Sequence, residues 1–272
     1  MTGAPDGFTR IDPPAGAAWR WPVLRRGTGP PVVLLHELLG LTPEVVALAR
    51  RVADDGFTVW LPVLAGPVPA DSRADQVRAT AQLCVSREIG LFATNRTSPV
   101  VEPLRALTVH AARIQHADRA GVIGMCLTGG FALGVATDGR VSAAVAAQPS
   151  LPLATPLNSR AARSYGLSPV DVETLGRRRR AGDLAVYVTR FTDDWRCPRR
   201  RQDAIEQDLG PADGEHLVVD DLPSRPGNDF GFDPSDHSVL CVAPTRHPSG
   251  PAHERLEQTL RDVFAFLHRR LD

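Results

Sequence analysis

The stretch Ala120-Gly121-Val122-Ile123-Gly124-Met125-Cys126-Leu127-Thr128-Gly129-Gly130-Phe131-Ala132-Leu133-Gly134 decides how the chain is read. An apolar run ends in Gly-X-Cys-X-Thr-Gly-Gly, and a small-residue helical pattern follows at once. That order is a strand, a sharp turn and a helix. Cys126 sits at the apex. The glycines let the backbone bend and neighbouring elements approach, and the helix N-terminus behind the thiol favours negative charge there. This is the layout of a nucleophile elbow with cysteine in place of serine. A buried packing cysteine in a strand-to-helix turn would look the same locally, so partners elsewhere must distinguish the two.

Working outward, Pro31 to Leu35 is a continuous apolar run suited to a strand buried on both faces, and it stops at His36-Glu37. Thr42-Pro43-Glu44 then supplies an N-cap, a proline at the first helical position and an acidic first turn, and Gly56 ends that helix. Phe57 to Leu61 reads as the next strand, 72–90 and 100–117 as helices, and 141–146 as the strand after the elbow helix. Leu184 to Thr189 and Glu215 to Val219 are further strands, with helices over 198–209 and 252–271 and a long loop over 221–236. The segment 149–182 is rich in Pro, Ser and Arg, and its run Arg177-Arg178-Arg179-Arg180 reads as a solvated helix face. Alternating strands and helices predict a doubly wound, mostly parallel α/β sheet flanked by helices, with residues 1–19 as a flexible arm and 20–272 as a single domain.

Composition narrows the function. The 272 residues are 43% hydrophobic and 23% charged with zero formal net charge, and all 31 basic residues are arginines. A neutral chain lacks the basic footprint of a nucleic-acid or anionic-membrane binder, and lysine chemistry is excluded. No apolar run reaches the ~18 residues that span a bilayer, so no membrane association is expected. Met1 to Trp19 lacks a basic segment followed by an apolar one, so a cytoplasmic location is expected, where thiols stay reduced. Cys84, Cys126, Cys197 and Cys241 have neither disulfide-framework nor metal-ligand spacing, and no metal or organic cofactor is expected. Cys84, Cys197 and Cys241 are read as packing residues.

Ligands in doubly wound sheets bind at the carboxyl ends of the strands. Partners for Cys126 should therefore follow other strands, and Glu37, Asp193 or Asp194, and His237 all do. The chain order nucleophile, acid, histidine is that of α/β-hydrolases. Four segments resemble the dienelactone hydrolase family of that superfamily: Leu35-His36-Glu37-Leu38-Leu39-Gly40-Leu41, Gly124-Met125-Cys126-Leu127-Thr128-Gly129-Gly130, Asp194 placed before Pro198, and His237-Ser238-Val239-Leu240. The resemblance runs over roughly residues 20–270.

The resemblance implies an α/β-hydrolase fold and hydrolysis of a carboxylic ester or lactone by a Cys-His-Asp triad. In this reading Cys126 is the nucleophile, His237 the general base and Asp194 the acid that orients it. Glu37 is a carboxylate beside the thiol, holding or exchanging its proton, and the amides of Leu38 and Leu127 form the oxyanion hole. His36 is expected to make a structural hydrogen bond. The partner is a small-molecule ester or lactone, and the chain a monomer or homodimer. Two departures stand out: Thr128 replaces the family's usual glycine, and of two arginines that would hold a substrate carboxylate only Arg87 has a match, the second position being Cys241. Arg246 is a candidate substitute. A non-catalytic binder of a small molecule or partner on the same fold, or an acyltransferase, remains the alternative.

Overall fold

The computed structural model describes residues 4–85, 96–150 and 162–272. Arg87 and the first part of the Pro/Ser/Arg-rich segment, 151–161, lie outside the described residues. The strands are β1 (Thr9–Ile11), β2 (Val23–Arg26), β3 (Pro31–Leu35), β4 (Thr58–Pro62), β5 (Ala120–Met125), β6 (Val141–Ala147), β7 (Ala185–Phe191) and β8 (Leu217–Leu222). The helices are α1 (Pro43–Asp54), α2 (Arg73–Val85), α3 (Val101–Ile114), α4 (Leu127–Val135), α5 (Pro169–Arg180), α6 (Arg199–Leu209), α7 (Val242–Arg246) and α8 (Gly250–Leu271). One 8-stranded sheet has the order β1-β2-β4-β3-β5-β6-β7-β8. The pairs β1/β2 and β2/β4 are antiparallel and the rest parallel.

Burial on both faces explains the unbroken apolar runs of β3 and β5. Alternate residues feed two cores. Val32, Leu34, Ile123 and Val145 pack with Val45 and Val52 of α1 and Leu256, Val263 and Leu267 of α8. Val33, Leu35, Val122 and Ala144 pack with Leu104 and Leu107 of α3, Phe131 and Leu133 of α4 and Ile205 of α6. Helix α1 begins as the sequence implies, with the Thr42 hydroxyl accepting from Val45 N and Pro43 in its first turn. The register pairs Leu35 with Gly124, Met125 with Ala147 and Ala147 with Thr189, so the carboxyl ends of β3, β5, β6 and β7 form one row. No helix among the described residues is long and apolar enough to cross a membrane.

Two expectations need correction. The N-terminal arm is not loose where it is described: β1 adds to the sheet edge, and Phe8 and Trp19 are buried, because a three-residue strand can borrow its register from β2. The arginine run is not a purely solvated face either. Arg178 turns inward and donates to the carbonyls of Ala136, Asp138, Gly139, Val141 and Asp183, closing the turn between α4 and β6. Arg179 bonds to Asp213. A buried guanidinium suits this turn because it carries five donors and no acceptor. Replacing it by leucine would strand those carbonyls, and Arg178→Leu is expected to lose about 2–4 kcal/mol of unfolding free energy in a denaturant titration. A loss below about 0.5 kcal/mol, the size usual for a surface change, would contradict this account.

Candidate active site

Cys126 sits between β5 and α4 with φ 54 and ψ −123, a conformation that L side chains rarely adopt. Such backbone costs on the order of 1–3 kcal/mol and persists only where its surroundings fix it. They do so here. Cys126 N donates to Ala147 O at 3.0 Å, and its carbonyl accepts from Gly129 N at 3.1 Å and Ser150 N at 2.9 Å. A Cβ at Gly124 would lie 2.1 Å from the Thr128 carbonyl, so glycine is required for that approach. Thr128 itself reinforces the turn: its hydroxyl accepts from Met125 N at 3.0 Å and lies 3.2 Å from Leu35 O. The residue that departs from the family pattern thus ties the elbow to β3.

Asp194 and His237 meet at the elbow. His237 Nδ1 is 2.5 Å from Asp194 Oδ2, and Asp194 is 1% exposed. Its other oxygen accepts from Arg196 N at 3.0 Å. Asp193 turns away to the hydroxyl of Thr192 at 2.7 Å, so the two adjacent aspartates are separated by geometry. Two buried arginines shape the acid-bearing turn. Arg190 donates to the carbonyls of Thr192 and Cys197, and Arg201 to those of Arg196 and Pro149. His237 Nε2 is buried, makes no conventional hydrogen bond and faces the Cys126 thiol. Burial of the ring opposes its charged form, but the Cys126 sulfur and the Asp194 carboxylate outweigh that and raise its pKa to about 10. An imidazole so placed can take and return a proton at the sulfur.

Glu37 is 6% exposed, and its Oε1 accepts from Ser238 Oγ at 2.6 Å and Gln148 Nε2 at 2.8 Å. Burial raises its pKa, against the opposing influence of His237, Ser238 and Gln148. Its bonds therefore run to the histidine segment and to the end of β6. Ser238 is visible in the sequence only as the residue after His237 in the matching segment, and Gln148 carries no local signal there. Leu38 N belongs to the loop after Glu37, and Leu127 N to the first residue of α4, where helix amides lack intrahelical acceptors.

Glu37, Leu38, Cys126, His237 and Ser238 line a cleft of about 390 Å³ with Leu39, Ser150, Trp195, Val242 and Ala243. Its arginines are engaged: Arg246 Nη1 is 2.7 Å from the buried Asp236, and Arg196 lies 3.7 Å from Asp194 with its guanidinium 4.7 Å from the ring of Trp195. Cys241 is buried with Sγ 3.4 Å from Met125 Sδ, and Cys197 is buried with its pKa pushed up to about 12 by burial. Cys126, by contrast, is partly exposed. A larger cavity of about 820 Å³ lies at the amino ends of the strands, among Gly29, Thr58, His116 and Arg119, and contains none of the candidate site residues.

His36 makes the structural bonds expected of it. Leu64 N donates to its Nε2 at 3.0 Å, so Nδ1 carries the proton and donates to Glu37 O at 2.7 Å, steadying the Glu37-Leu38 loop. Burial lowers its pKa from 6.5 to about 4. Between these values the unfolded chain binds a proton that the folded one does not. Stability is therefore expected to fall as pH drops from 6.5 to about 4, with His36 contributing about 3 kcal/mol. Urea titrations across this window should show a shallower decline in His36→Asn, and parallel declines would refute the assignment.

The model of the dienelactone hydrolase family matches residues 22–164, which include the Glu37 loop and the Cys126 elbow. A carboxymethylenebutenolidase of Pseudomonas sp. (strain P51) is 31% identical over 118 residues, covering 42% of this chain and 47% of that protein. The match thus spans about half the length of this curated relative. A solved structure from Klebsiella pneumoniae subsp. pneumoniae MGH 78578 is 18% identical with a TM-score of 0.60, covering 95% of this chain and 98% of that one. The dienelactone hydrolase from Anabaena variabilis ATCC 29413 is 13% identical with a TM-score of 0.58, covering 98% of this chain and 100% of that one. These structures share the fold, and with a family model matched over more than half its residues, this chain belongs to the dienelactone hydrolase family.

Proposed function

We propose that the protein hydrolyses carboxylic esters or lactones with Cys126 as nucleophile, His237 as general base and Asp194 as the acid that orients the histidine. The observation that carries this reading is the His237 ring, bonded to buried Asp194 through Nδ1 and turned to the Cys126 thiol through Nε2. Family membership and a relative named carboxymethylenebutenolidase support the substrate class. A reduced thiol at the elbow suits a cytoplasmic protein.

The chemistry follows from the placement. His237 takes the thiol proton, and the thiolate adds to the carbonyl carbon. The oxyanion is received by the amides of Leu38 and Leu127, donors fixed before the charge develops. Collapse breaks the ester C–O bond, and the imidazolium returns its proton to the leaving oxygen. Water, deprotonated by His237, then attacks the thioester, and the thiolate departs with the acid product released. The family resemblance implies that Glu37 shares the thiol proton, and its Oε1 is already taken by Ser238 and Gln148, which leaves Oε2 for that exchange. No carboxylate-binding arginine stands at Cys241, and the two arginines that line the cleft, Arg196 and Arg246, already face Asp194 and Asp236, which favours an uncharged ester or lactone.

Cys126→Ala is expected to abolish hydrolysis of an activated ester such as p-nitrophenyl acetate, and mass spectrometry of the unaltered protein during turnover should show an acyl adduct on the Cys126 peptide. Asp194→Asn should lower kcat by about a thousandfold or more by losing the correct imidazole tautomer, whereas Asp193→Asn should change it by no more than about threefold. Full activity in Cys126→Ala would end the proposal.

A further inference from the structure

Gln148 is the described residue with the most unusual combination of properties outside the triad. It is fully buried, polar, and held at φ 37, a left-handed conformation for a residue with a side chain. Strain of this kind is retained where the structure around it fixes it, commonly at functional sites. Its position explains the strain. The preceding Ala147 carbonyl accepts the amide of Cys126, and Gln148 N donates to Thr189 O at 2.6 Å, so its backbone bridges the elbow and β7. Its side chain then turns toward the opposite wall. Gln148 Nε2 donates to Glu37 Oε1 at 2.8 Å, and Gln148 Oε1 accepts from Val239 N at 3.3 Å.

Ser238 completes the set. Its hydroxyl donates to the same Glu37 oxygen at 2.6 Å and accepts from Val242 N at 3.1 Å, at the start of α7. The segment immediately after His237 is therefore tied at two adjacent residues, to Glu37 through Ser238 Oγ and to Gln148 through Val239 N, while the Val242 amide braces the Ser238 hydroxyl from within the same segment. All these groups are buried or nearly so, where bonds gain strength from low dielectric and an unmet donor costs most. The His237 ring is bonded to Asp194 at Nδ1, which orients the ring about that bond. Its distance from Cys126 must be set by the chain that carries it.

We propose that Gln148 and Ser238 are positioning residues: gathered on the carboxylate of Glu37, they hold the His237 segment at the distance from Cys126 that proton transfer requires. The role assigned to Glu37 is then that of an anchor for the histidine, which differs from a partner of the thiol. The inference rests on His237 acting as the base, and the test separates the two.

Gln148→Leu keeps the volume and removes both side-chain bonds. It is expected to lower kcat for p-nitrophenyl acetate about tenfold or more with KM changed less than about threefold, since small misplacements of reacting groups cost rate before binding. Alkylation of Cys126 by iodoacetamide at neutral pH, followed by peptide mapping, should slow in parallel, and this reads the His237–Cys126 pair whether or not the ester is a substrate. Ser238→Ala should move both readouts in the same direction, and Ser238→Thr, which restores a hydroxyl, should recover them. This pair supplies the measurement if Gln148→Leu does not fold. A lowered melting temperature with kcat and alkylation unchanged, or Ser238→Thr no better than Ser238→Ala, would overturn the proposal. Full activity in Cys126→Ala would instead remove the reading on which it rests.

Discussion

A cysteine held at φ 54 between a strand and a helix relaxes unless every neighbour prevents it, and most of the architecture around Cys126 can be understood as prevention. The Ala147 carbonyl fixes the amide before the turn, Ser150 and Gly129 fix the carbonyl after it, and the Thr128 hydroxyl joins the turn to the end of β3. These partners come from β3, β6 and α4, so the elbow geometry demands the central parallel register. The two apolar cores supply the rigidity, since packed interiors yield little to local strain.

Arginine performs the internal fastening in this lysine-free chain. Arg178 closes the turn after α4, Arg190 wraps the turn that presents Asp194, and Arg201 joins that turn to the residue after Gln148. Each directs a planar fork of donors at backbone carbonyls that strand and helix ends leave without partners. Lysine, a single charge on a flexible stem, could not satisfy several divergent acceptors at once.

What could be read from the sequence divides along physical lines. Val32 to Leu35 and Val122 to Met125 were legible as central strands because burial on both faces leaves no polar interruption. Cys126 and His237 were legible because an elbow and a strand-end loop have local signatures. Choosing between Asp193 and Asp194 required family spacing, since neighbouring residues at a strand end point to opposite sides. Thr9 to Ile11 was missed because three partly exposed residues carry no periodicity, and Arg178 because four identical side chains hide which one the rotation of α5 turns inward. Gln148 was invisible for a different reason: its contacts are with Glu37 and Val239, the first 111 and the second 91 positions away.

That distance has a consequence for the chain while it is being made. Glu37 and Ser238 touch across 201 positions, and Asp194 and His237 across 43. Contacts of such sequence separation form late, after their loop-closure entropy can be met by an assembled sheet. The thiol of Cys126 enters the nascent protein well before His237 can reach it. Until the last third of the polypeptide docks, the cysteine lacks the imidazole that faces it in the completed fold.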